Sequence, residues 1–101
     1  MNRLSRTLRS VLETYTGKGL NGYNYLTENA DGTIFAVVSV GQILGKRVVD
    51  TGLIVWVLPE RIVIERDVND KLLVDALVQA GIEREQITLA YAGEPIEEPA
   101  V

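Results

Sequence analysis

The chain predicts an α+β domain in which an N-terminal helix, a three-stranded antiparallel β-meander, a second helix and a C-terminal strand assemble with both helices packed on one sheet face. Three observations carry that expectation. Apolar residues recur at helical period near each end of the chain, a run rich in Val and Ile fills the middle from Thr33 to Asp67, and Gly or Pro marks most of the junctions. The 101 residues suit one domain, placed at 1–93, and a hydrophobic content of 47% is enough to build its core.

Leu4, Leu8, Val11, Leu12 and Tyr15 form one apolar stripe and define the first helix. Arg3, Arg6 and Arg9 share another face of it, where a solvated helix surface is the plainer reading and a cationic patch the sharper one. The segment 17–32, "GKGLNGYNYLTENADG", reads as a helix stop and loop. It contains a literal G-x-G-x-x-G, but a dinucleotide site needs a strand before the glycines and a helix after them, and here a helix precedes. "TIFAVVSVGQ" is strand-forming and ends near Gly41. "GKRVVDTG" supplies a turn and a strand entry, and "LIVWVL" reads as a strand buried on both faces, with Trp56 in the core. "LPER" makes a hairpin into "RIVIERD".

The stretch "IERDVNDKLL" sets three carboxylates, Glu65, Asp67 and Asp70, beside Asn69. A calcium loop starting at Asp67 fails at its fifth position, which is Lys71, at its sixth, which is Leu72 instead of glycine, and at its twelfth, Val78. A helix start accounts for the same residues, with Asp67 or Asn69 accepting from first-turn amides and Asp70 near the positive end of the dipole. Glu65 and Asp67 are not read as a catalytic pair, because nothing in the sequence pushes their pKa values apart. Leu73, Ala76, Leu77 and Ala80 then give the second helix, Gly81 its stop, and "ITLAYAG" the last strand. Residues 94–101, "EPIEEPAV", form an acidic tail expected to be loose.

Composition limits the chemistry. Neither cysteine nor histidine is present, which removes thiolate and imidazole metal sites and the commonest general base. No cofactor, metal or catalytic residue is assigned, and the chain is read as a non-enzyme. The net charge of −4 is uneven: residues 1–50 hold six basic and four acidic groups, and residues 51–101 hold four and ten. The longest uncharged apolar run, Leu53 to Leu58, is too short to span a bilayer. The arginine-rich start resembles a transit peptide in composition, but its apolar stripe argues for a helix of the fold, and a cytoplasmic location is expected.

The order of segments from Asp31 to Gly93 resembles the XisI family, the fdxN-element excision controlling factors found mainly in cyanobacteria. The resemblance rests on "VVSVGQ", "KRVV", "GLIVWV", "RIVIERDVNDKLLVDALVQAG" and above all "GIEREQITLAYAGEP". The chain departs from many members in carrying Gln42 after the strand-closing glycine, no histidine in the central strand, and Asn69-Asp70 at the helix start. The resemblance implies an accessory or regulatory role exercised by protein–protein contact with a recombinase or with XisH, a companion with an endonuclease-like fold. On charge, Glu94, Glu97 and Glu98 are the candidate partner surface. The alternative is direct DNA binding by a recombination directionality factor through Arg3, Arg6, Arg9 and Lys18. Self-association through an open sheet edge is a further expectation, with the edge unspecified.

Overall fold

The computed structural model describes residues 2–96. Helix α1 (Arg3–Glu13) leads into strands β1 (Gly17–Lys18), β2 (Gly22–Glu28), β3 (Ile34–Ile43), β4 (Lys46–Leu58) and β5 (Arg61–Asp67). Helix α2 (Leu73–Gln79) and strand β6 (Ile87–Leu89) follow, with single 3-10 turns at Arg84–Gln86 and Ala90–Ala92. The six strands form one sheet in chain order. Strands β1 to β5 are successively antiparallel, and β6 runs parallel to β5. A parallel neighbour requires a crossover, and α2 is that crossover.

Both helices lie against one face. Leu4, Leu8 and Leu12 of α1 and Leu73, Val74 and Leu77 of α2 close over inward residues of β3, β4 and β5, among them Phe35, Val37, Leu53, Val55, Ile62 and Ile64. Each such aliphatic side chain contributes about 1.5–3 kcal/mol on full burial, so this single layer is the main stabilising term. Val11 and Tyr15 pack at its margin, as the stripe predicts. Asn2 caps α1 through its side-chain oxygen, which accepts from the Ser5 amide at 2.8 Å.

Helix α2 starts later than expected, with Leu72 at the N-cap making no side-chain cap bond, and of the predicted acceptors Asp67 reaches its first amide. One Asp67 carboxylate oxygen accepts from the Leu73 amide at 2.7 Å, and the other accepts from the backbone and side-chain amides of Asn69 at 3.0 and 2.9 Å. Asp67 therefore closes the loop that leads into the helix; Asn69 supports it as a donor instead of capping the helix itself. At the other end Gly81 takes φ +99°, its amide donates to Val78 O, and the Ile82 amide donates to Leu77 O, both at 3.0 Å. Ile82 is buried in the core, completing a Schellman stop.

Two expectations are corrected. The segment 17–32 is not a loop throughout: it contains β1 and all of β2, so the antiparallel meander has five strands. Its Gly and Asn residues disguise a strand whose Tyr23, Tyr25 and Thr27 face one way and whose Asn24, Leu26 and Glu28 face the other. Gly22 stands opposite Gly41, and a Cβ on either would overlap the backbone oxygen of Val40 or Asn21 respectively. The last glycine of the G-x-G-x-x-G is thus explained by close approach of two strands. Strand β4 is also not buried on both faces. Leu53, Val55 and Val57 are buried, whereas Ile54, Trp56 and Leu58 are only half-buried on the face opposite the helices. Trp56 lies outside the core because no α-helix covers its side of β4, although its cross-strand neighbour Val63 is buried there.

Two measurements check this account. Gly22→Ala should lower the free energy of urea unfolding by about 2 kcal/mol or more through backbone overlap. Gly19→Ala, which meets only ordinary contacts, should stay within about 0.5 kcal/mol of wild type. Asp67→Ala should cost about 1–2 kcal/mol by the same assay, as expected when a first-turn amide loses its acceptor.

Candidate interaction surface

The sheet face turned away from the helices is apolar, and over β2, β3 and β4 no α-helix covers it; towards β5 and β6 its residues Val63 and Thr88 are buried. Register places Tyr25 of β2 opposite Val38 of β3, Tyr23 opposite Val40, and Ala36 opposite Ile54 of β4. Ile34 faces Trp56, which continues the row towards β5. Tyr23 and Tyr25 lie side by side, ring centroids 4.7 Å apart, and are 46% and 51% exposed. The Trp56 indole nitrogen donates to a Glu65 carboxylate oxygen at 2.7 Å, which fixes the ring across the face while satisfying its polar atom. Glu65 is therefore committed to Trp56 and Asp67 to the start of α2. These two carboxylates share no common task.

Tyr and Trp set among aliphatic side chains in one solvent-facing array match protein interfaces, which are enriched in these two aromatics. Sequence reasoning missed this surface. A strand apolar on both sides reads identically whether its second face is covered by its own chain or by another.

The charged candidates are distributed differently from the expectation of a patch. Arg3 donates to Gly81 O at 3.3 Å, joining the start of α1 to the end of α2. Arg9 pairs with Glu28 at 2.6 Å and lies 5.7 Å over the centroid of the Phe35 ring. Arg6 is exposed on α1, and Lys18 is exposed on the edge strand β1. Two of the four basic groups thus work inside the fold.

On the acidic side, Glu94 is likewise engaged. Its carboxylate accepts from the Leu89 amide at 2.8 Å and from Arg84 at 3.0 Å, and those contacts hold its pKa below the usual carboxylate range. Glu97 and Glu98 lie outside the described residues. The Tyr15 and Tyr91 hydroxyls titrate above their ordinary value, first because of burial and then because of Asp67 and Asp75. Neither is a base near neutral pH.

Among the described residues no group of three or more His, Cys, Asp or Glu side chains is placed to hold a metal. No described helix is long and apolar enough to cross a membrane. A hollow beside the turn between β1 and β2 is lined by Leu20, Tyr23, Val40, Ile43 and Val48 and opens broadly to solvent. It offers apolar contact without convergent charged groups.

Comparison with known proteins agrees with this architecture. The family model described as XisI protein matches residues 2–98. No curated protein matches the chain significantly. Among solved structures, the fdxN element excision controlling factor XisI from Anabaena variabilis is 20% identical, with a TM-score of 0.65 over 87% of this chain and 88% of that one. A XisI-like protein from the same organism is 16% identical, with a TM-score of 0.64 over 85% of this chain and 78% of that one. Those structures share the fold, and the family model covers nearly the whole sequence: the chain belongs to the XisI family.

Proposed function

We propose that the protein is a non-enzymatic accessory factor in the excision of a DNA element, acting in the cytoplasm by contact with a second protein. A XisH-like protein of endonuclease-like fold is the leading partner, and a recombinase is the other candidate. The observation that carries the reading is the bare sheet face, where Tyr23, Tyr25, Ile54 and Trp56 stand exposed or half-exposed with no covering layer. Membership of the XisI family supports the role, because a solved member is named as an excision controlling factor. The acidic segment of Glu94, Glu97 and Glu98 is proposed as a second contact, made with a basic partner surface. Direct DNA binding through Arg3, Arg6, Arg9 and Lys18 is the weaker reading, since Arg3 and Arg9 are occupied by Gly81 and Glu28.

Co-expression with a XisH-type protein from the same genome, followed by size-exclusion chromatography with light scattering, tests the proposal. Co-elution at a defined mass is the expected result. Tyr25→Ala combined with Trp56→Ala should then weaken the complex about tenfold or more, as interface aromatics do. Glu97→Gln with Glu98→Gln should weaken it modestly and reduce its salt sensitivity. Separate elution, together with DNA affinity that falls steeply with salt, would replace this reading with the DNA-binding one.

A further inference from the structure

The hairpin joining β3 to β4 stands outside the layered core. Strand β2 pairs with β3 only as far as Gly41, and β5 pairs with β4 only from Leu53 onward. Residues 42–50 are therefore a two-stranded arm, and every one of them is exposed. A two-stranded hairpin is marginally stable in water by itself. This one nevertheless presents Ile43, Leu44, Val48 and Val49 to solvent.

The tip adds a second oddity. Ile43 pairs with Lys46, and the two residues between them, Leu44 and Gly45, have φ +53° and +79°. That is a two-residue turn with both centres left-handed, which favours Asn or Asp before Gly. Leucine is strained there, and at 97% exposure Leu44 gains little from its own chain in return.

The outer edge of β4 is open at the same place. At its base the Val68 amide donates to Gly52 O at 3.0 Å, Arg66 Nε donates to Thr51 O at 2.8 Å, and the same guanidinium lies 3.9 Å from an Asp50 carboxylate oxygen that is still 57% exposed. From Lys46 to Asp50 no described strand pairs with that edge. The sequence along it is Lys46-Arg47-Val48-Val49-Asp50, whose two ends are of opposite charge and meet when a second copy is laid against it in reverse. An axis at Val48 sets Lys46 opposite Asp50 twice and Arg47 opposite Val49. An axis at Arg47 would oppose two arginines, and one at Val49 would set Asp50 against Val48. Opposite charges across an antiparallel pair stabilise it, and like charges oppose it.

We propose that Lys46–Asp50 is the seam of a homodimer, in which the β4 edges of two copies pair antiparallel about a two-fold axis at Val48. The two six-stranded sheets become one of twelve strands. Leu44 at the tip of one arm then reaches Gly52 of the second copy, beside the exposed Val68 that packs on it. The seam uses backbone and arm residues alone, so it is independent of any partner on the bare face. Because the axis stands perpendicular to the sheet, both bare faces look the same way.

Sedimentation velocity of the full chain alone, over a range of concentrations, tests this. The expected species has twice the 11.1 kDa chain mass. Asp50→Lys should raise the dimer dissociation constant about tenfold or more by facing Lys46 with a second cation. The exchange Lys46→Asp with Asp50→Lys should restore it. Leu44→Asn should raise the thermal midpoint of the monomer while weakening the dimer. A chain that is monomeric at every concentration would overturn the proposal. So would a dimer indifferent to Asp50→Lys, or a charge exchange that stays dissociated while folded by circular dichroism.

Discussion

Everything in this molecule depends on the burial of one sheet face by two short helices. Helix α1 has eleven residues and α2 seven, and together they supply one covering layer. The inward residues of β3, β4 and β5 meet that layer and form the only extensive core seen among the described residues. The same arithmetic leaves the opposite face of β2, β3 and β4 without a helical cover. Its tyrosines and tryptophan are thus a direct consequence of how the core is built.

The charged groups follow from that layer as well. Arg3 joins the start of α1 to the end of α2, and Arg9 ties the middle of α1 to Glu28 of β2. Asp67 is the acceptor that orders the loop into α2, and Glu94 closes the turn after β6. Residues that look functional in a list of charges are absorbed into the frame. The sheet face left exposed over β2 to β4 is mostly uncharged.

Much of the fold was legible in the sequence because its signals are local. The helical stripes, the Gly81-Ile82 stop and the Pro59 hairpin are short-range patterns whose physics does not depend on distant partners. Strand β2 was not legible, because Gly22 and Asn24 carry turn chemistry while their role is set by Gly41 and Ser39 across the sheet. Trp56 illustrates the limit for the site. Aliphatic neighbours on both sides of β4 indicate apolar contact on two faces, but which face belongs to this chain depends on where both helices land. The open edge of β4 was anticipated only in kind, since its location depends on where β5 stops pairing.

Recognition through the bare face can be tested directly, because the chain contains no cysteine. Single cysteines introduced at Val38 and at Tyr25, with a control at Arg6 on α1, can be labelled by a thiol reagent with and without the XisH-type partner. The partner should slow labelling at Val38 and Tyr25 and leave Arg6→Cys unchanged. Protection at Arg6→Cys with full reactivity at Val38 and Tyr25 would contradict recognition through the bare face and move the recognition surface to the helical side.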